Sequence, residues 1–165
     1  VATLPIRVFG DPVLRQPTLA VDEIDDALCQ LADDMLATMY AAPGVGLAAP
    51  QIGVQRRFFV YDVGDGPGAV VNPRIVETSG EWTYLEGCLS VPDLHWEIIR
   101  PARVHLVGIG LDGEEIDVEA DDLLGRCFQH EVDHLDGTLL LERLGRADRK
   151  DAMRILRERA LEDGR

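Results

Sequence analysis

Apolar side chains at Ile24, Leu28, Leu31, Met35, Leu36 and Met39 recur at helical spacing, with Asp25, Asp26, Asp33 and Asp34 on the other side. The pattern predicts a helix over 24–41, with Asp22 as its N-cap and Pro43-Gly44 as its stop. Cys29 within it reads as an inert, partly buried thiol. Ahead of it, residues 3–8 alternate loosely, as a short strand or an extended lead-in would, and Gly10-Asp11-Pro12 marks a turn. After it the pattern changes to short β-branched and aromatic runs. Runs at 57–63, 69–76 (interrupted near Asn72-Pro73), 81–85, 98–99, 104–109 and 115–118 predict strands. Asp112-Gly113 is a hairpin turn between the last two. Helical spacing returns over 121–136, with Leu123, Leu124, Cys127, Phe128 and Val132 as the buried stripe, and again over 147–162. A helix, several mostly antiparallel short strands, a central helix and a terminal helix make an α+β fold, expected as a single domain over 1–165.

Length and composition fit that picture: 165 residues, 46% of them apolar, suffice for one core. A formal charge of −14 argues against DNA or other nucleic-acid binding as the main function, because phosphate binding needs a basic surface. No apolar run approaches the roughly 18 residues of a membrane span. Residues 1–10 lack the charged-then-apolar pattern of a signal peptide, and the missing initiator Met reads as processing or trimmed numbering. Cys29, Cys88 and Cys127 show no disulfide framework, which suits a reducing cytoplasm where a thiol can serve as a metal ligand. Residues 146–159 hold six of the sixteen basic side chains: Arg146, Arg149, Lys150, Arg154, Arg157 and Arg159. Asp148, Asp151 and Glu158 are interleaved, so a solvated face laced with i,i+4 pairs is favoured over a docking helix for ribosomal RNA.

The chemistry centres on His130-Glu131-Val132-Asp133-His134, an H-E-x-x-H pattern inside the predicted central helix. Residues four apart share a helix face, so both imidazoles can reach one metal ion. Glu131 lies about 100° round the axis, beside the ion rather than on it, where it can act on a water. The pattern alone also occurs on surface helices with two solvated histidines. Two further stretches change the balance: Gly44-Val45-Gly46-Leu47-Ala48-Ala49-Pro50-Gln51 and Tyr84-Leu85-Glu86-Gly87-Cys88-Leu89-Ser90. The small residues of the first allow close approach to the backbone, or a tight turn beside a crowded core. Cys88 follows a glycine at a strand end and suits a third ligand. Cys127 could share the face of His130 but stands in the apolar stripe, and His95, His105 and Cys29 are the other candidates. Three protein ligands leave a position for water, the pattern of a catalytic site. Glu131 would take a proton and hand it to a leaving amine, while the Gln51 amide and the Leu89 N–H would receive the oxyanion.

These three stretches, in this order, resemble the three motifs of the peptide deformylase family, and Gly10-Asp11-Pro12-Val13-Leu14-Arg15 adds to the likeness, which spans 6–144. The resemblance implies hydrolysis of the formyl group from N-terminal formyl-methionine of new proteins, releasing formate. It implies Fe²⁺ as the working metal, with Zn²⁺, Ni²⁺ or Co²⁺ able to substitute; availability decides among them. Carried across, Cys88, His130 and His134 match the metal ligands, Glu131 the general acid/base, and Gln51 and Leu89 the oxyanion donors. Val45, Gly46 and Gly87 match backbone that lines the substrate, holding the peptide as an added strand. Tyr84, Leu123, Arg126 and Cys127 fall at the methionine side-chain pocket. Glu86 and Arg100 match a supporting pair, or else a weak surface ion pair. Two departures stand out: Arg126 is a charge at the pocket, and His95 replaces an arginine of some members, with His95 and Trp96 expected at the pocket rim. The competing classes are a zinc endopeptidase using Glu142 as its third ligand, a metal-stapled module without activity, and a deformylase-like enzyme with another substrate.

Overall fold

The computed structural model describes residues 1–163. Its helices are α1 (Asp26–Ala41), α2 (Asp122–Leu135) and α3 (Arg146–Glu162). Its strands are β1 (Gly46–Ala48), β2 (Phe58–Tyr61), β3 (Gly68–Ser79), β4 (Trp82–Cys88), β5 (Val91–Arg100), β6 (Arg103–Ile109) and β7 (Glu115–Ala120). The chain is α+β, as its patterning predicts. Strands β1-β2-β3-β6-β7 form one antiparallel sheet, and β4 and β5 form a separate two-stranded ribbon.

Strand β2 shows how the layers arise. Successive side chains of a strand point to opposite faces. Phe58 and Val60 pack with Leu28, Met35 and Met39 of α1, whereas Phe59 packs with Phe128 and Val132 of α2. The sheet therefore lies between α1 and α2, which explains why β2 reads as a continuous apolar run rather than an alternating one. A third cluster joins Val91 and Ile98 of β5 to Leu140, Leu141, Leu144 and Ala152, and so seats α3 and the segment before it against the ribbon.

The structure corrects several boundaries. The N-cap of α1 is Asp25, not Asp22: its side chain accepts from the Leu28 N–H at 2.9 Å, the reach from a cap to the third helical residue. The interruption expected in β3 is a turn of the backbone at Asn72 (φ 51°), whose side chain bonds both the N–H and the carbonyl of Val21. Strands β4 and β5 extend beyond their apolar runs to Cys88 and back to Val91. Leu123 and Leu124 are half-buried rather than buried: Leu123 borders a cavity, and Leu124 packs at the edge of the cluster around Phe128. Residues 1–8 form an extended lead-in without a strand, and Pro12–Arg15 is a 3₁₀ turn capped by Asp11.

Two local features position the site. The ladder of the ribbon shifts register between Gly87 and Cys88, so that Leu89 and Ser90 close the turn; such irregularities re-aim neighbouring side chains. Helix α2 lies tight on its approach segment: a Cβ on Gly125 would sit 2.7 Å from the Ala120 carbonyl oxygen.

Candidate active site

Three distant segments converge beneath the ribbon. His130, Glu131 and His134 stand on α2, Cys88 ends β4, and Gln51 lies in the 3₁₀ turn Ala49–Ile52 after β1. The Sγ of Cys88 is 3.2 Å from Nε2 of His134, and that nitrogen is 3.2 Å from Nε2 of His130. The three ligand atoms lie within 4.8 Å of one another, and among the described residues no further His, Cys, Asp or Glu joins them. Two ring nitrogens facing each other across a sulfur are a donor set for a soft-to-borderline cation. A fourth protein ligand, as a purely structural site requires, is missing from the cluster. Glu142 is not near it; its carboxylate caps the chain by accepting from the Leu139 N–H at 2.7 Å, which removes the basis for a zinc endopeptidase.

The electrostatics agree with a cation there. Burial alone would raise the Cys88 thiol, yet His134 and His130 hold it well below its ordinary value. Burial alone would lower His130, yet Cys88 and Glu86 hold it well above. Negative charge on Cys88 and Glu86 thus favours positive charge between the imidazoles, whether a proton or a metal ion supplies it. Glu86 Oε1 bonds His130 Nδ1 at 2.8 Å, which orients the ring and leaves Nε2 facing the sulfur.

Glu131 is buried, and its Oε1 has no hydrogen-bond partner. Burial holds its carboxyl above the usual glutamate range against the pull of His130 and His134. Its other oxygen touches β1: a Cβ on Gly46 would lie 2.5 Å from Oε2 and 2.9 Å from Cys127 Sγ, so a larger residue there would displace both side chains. Gln51 is fully buried; its carbonyl oxygen accepts from the Ala48 N–H at 3.0 Å. Its amide nitrogen donates to Ser90 Oγ at 3.1 Å and lies 3.7 Å from Cys88 Sγ.

A cavity of about 600 Å³ opens over these groups. Cys88, His130, Glu131, Gln51 and Leu89 border it, and so do all seven residues expected at the substrate: Val45, Gly46, Gly87, Tyr84, Leu123, Arg126 and Cys127. His134 lies behind it, buried, with its Nδ1 unpartnered. His95 reaches the rim, but Trp96 does not. Adjacent strand residues face opposite ways, and Trp96 packs instead into the cluster under β5. Cys127 stays a neutral thiol, raised well above its ordinary value by burial and by Glu131; it donates to the Val45 carbonyl at 3.6 Å.

The Glu86–Arg100 pair is not a surface ion pair. Both side chains are 5% exposed and joined by two bonds, at 2.9 and 2.8 Å. Arg126 is also buried. It donates to the carbonyls of Trp82 and Ile98 at 3.0 and 2.7 Å, and its guanidinium carbon lies 5.2 and 5.6 Å from the ring centroids of Trp82 and Tyr84. Its Nε and Nη1 make no hydrogen bond, but Nε lies 3.3 Å from Glu86 Oε2, and that carboxylate and the two aromatic faces compensate the charge. Sequence reasoning overlooked Trp82, Ser90, Asp133 and Arg143. Only Trp82 left a signal: Trp82 and Tyr84, two apart in a strand, share a face.

Comparison with known proteins gives the same picture. The family model for polypeptide deformylase matches residues 3–150. Peptide deformylase 1 of Clostridium acetobutylicum is 48% identical over 143 residues, 87% of this chain and 95% of that one. The peptide deformylase of Acidothermus cellulolyticus is 50% identical over 157 residues, covering 95% and 87%. The crystal structure of a peptide deformylase from Legionella pneumophila superposes with a TM-score of 0.91 at 37% identity, covering 99% of both chains. A match over most of the chain, in sequence and in fold, shows that this chain belongs to the polypeptide deformylase family, metal-dependent hydrolases that remove the N-formyl group from newly made proteins.

Proposed function

We propose that the chain hydrolyses the formyl group of formyl-methionyl nascent peptides, with Cys88, His130 and His134 holding one divalent ion and residues 1–165 acting as one catalytic domain. The observation that carries this is the meeting of the Cys88 sulfur with two imidazole nitrogens beside a buried carboxylate whose Oε1 is free. When bound, the ion supplies Lewis-acid polarisation of the formyl carbonyl and acidifies water to a pKa of about 7. We assign Fe²⁺ in cells; Zn²⁺, Ni²⁺ and Co²⁺ can replace it, because a thiolate and two imidazoles do not select among them.

Glu131 takes a proton at Oε1 from the water whose oxygen bonds to the formyl carbon, and later gives it to the departing amine nitrogen. The C–N bond then breaks, and formate and a free amino terminus leave. Its raised carboxyl suits a group that must both accept and donate. The Gln51 amide and the Leu89 N–H receive the charge that develops on the formyl oxygen. The substrate backbone adds as a strand along Val45, Gly46 and Gly87. Among the described residues, strand β1 pairs only with β2 and β4 only with β5, so each offers an open edge at the cavity. The methionine side chain goes toward Tyr84, Leu123, Arg126 and Cys127, with His95 at the rim. New chains as substrate imply the cytoplasm. Docking of α3 to ribosomal RNA would rest on Arg146, Arg149, Lys150 and Arg157. Arg154 is held by Asp151 and Glu158, and Arg159 donates to the Pro92 carbonyl, so we favour the solvated face.

The test is anaerobic formate release from a formyl-Met peptide, with the acetyl peptide as comparison. Glu131→Ala is expected to lose at least about 100-fold in turnover while keeping its ion and its fold. Full activity in that variant would remove the mechanism.

A further inference from the structure

We propose that Arg143 is a positioning residue for the reaction, acting on His130 from the far end of a chain of ion pairs; this rests on the reading of His130 as a metal ligand. Arg143 ends the single 3₁₀ turn Leu140–Arg143 that links α2 to α3. Its Nε and Nη2 donate to the two carboxylate oxygens of Asp133 at 2.9 and 2.6 Å. Asp133 Oδ2 also accepts from Arg100 Nη1 at 2.8 Å. Arg100 grips both oxygens of Glu86 with its remaining donors, and Glu86 Oε1 holds His130 Nδ1.

The geometry gives each member a definite job. Arg100 touches only one oxygen of Asp133, so it cannot fix the plane of that carboxylate. The fork of Arg143 spans both oxygens and does fix it. With the plane set, Arg100 meets Asp133 with Nη1 and keeps Nε and Nη2 for Glu86. Without Arg143, Asp133 is free to turn and to draw Arg100 toward itself, which loosens Glu86 and the ring it orients. The partner on the second nitrogen of a ligating histidine sets ring orientation and ligand strength. The Arg143 side chain is 46% exposed, so its removal leaves no core cavity to explain a loss.

The test uses the full chain loaded with Co²⁺. Arg143→Ala is expected to release the ion to a chelator about 10-fold faster or more, with lower kcat and unchanged KM. Arg143→Lys, a point charge that cannot span both oxygens, should fall between and also serves if the alanine variant folds poorly. In a Glu86→Gln background, Arg143→Ala should speed release no further, because the chain is already cut. Arg103→Ala, which removes an exposed pair with Asp121, should behave as wild type. Release at the wild-type rate in Arg143→Ala, or fully additive losses in the double variant, would overturn the proposal. A wild-type chain that binds no ion would sink the metal-site reading itself, whereas the variant ratios speak only to Arg143.

Discussion

Helix α3 and the end of strand β5 each present an arginine that meets two carboxylates, and the two arrangements do different work. On α3, Arg154 pairs with Asp151 and Glu158, and all three side chains are 57–60% exposed. Water competes for every one of those bonds, so such pairs contribute about 1 kcal/mol at most. Behind α2, Arg100 pairs with Glu86 and Asp133, with side-chain exposures of only 5%, 5% and 13%. Burying these charges costs desolvation, and an apolar cluster of equal volume would be about as stable. The buried set is therefore best understood by what it orients, namely His130 through Glu86, whereas the α3 set keeps a polar helix face in water. The α3 set is local in sequence, at i,i+3 and i,i+4, whereas the buried set joins residues 14 and 33 apart; long-range packing and burial decide its meaning.

The sharpest way to break this contrast is Glu86→Gln. It removes one of the two carboxylates that Arg100 meets and the carboxylate beside Arg126, leaving buried positive charge under-compensated, and is expected to cost about 3–5 kcal/mol. The loss should depend on pH. Burial would raise Glu86, but His130 and Arg100 outweigh it and hold the carboxyl at about 2, against an ordinary 4.5. A lowered folded-state value stabilises above the unfolded one and is lost as pH falls. The difference in thermal midpoint between wild type and Glu86→Gln should therefore be full above about pH 4.5 and close toward pH 2. A gap that widens on acidification would reverse the assignment.

A smaller effect is expected at the start of α2. Gly125→Ala gains about 1 kcal/mol of helix propensity, yet its Cβ would meet the Ala120 carbonyl oxygen at 2.7 Å. Backbone on both sides has nowhere to yield, so chemical denaturation should show a net loss of about 1–3 kcal/mol. The smallest effect belongs to α3: Arg154→Ala should change stability by less than about 1 kcal/mol, and added salt should erase the difference.

Helical spacing placed α1, α2 and α3 to within a few residues, because each buries a stripe against a single layer. The ribbon was harder. In β4 apolar alternation fails at Glu86 and Gly87, where a buried carboxylate and the cavity replace apolar packing. In β5, by contrast, Leu94, Trp96 and Ile98 do alternate with His95 and Glu97 and pack on the third cluster. The H-E-x-x-H pair is local and readable, but Cys88 lies 46 residues from His134; its glycine and strand-end setting suggested it, and the family resemblance matched it to a ligand. Arg126, expected as a charge at the pocket, is buried: Trp82 and Tyr84 cover it, two carbonyls accept from it, and its Nε lies 3.3 Å from Glu86 Oε2. Arg143 and Asp133 sit ten residues apart on different elements. Their meeting depends on how the chain turns between α2 and α3, which no periodicity encodes.

The central claim is that one sulfur and two imidazoles grip a single ion, and metal content of the anaerobically isolated protein tests it most directly. Wild type should carry about one divalent ion per chain, and Cys88→Ser should lose it on dialysis while retaining its fold. A serine variant that keeps a full equivalent as tightly as wild type would contradict the account.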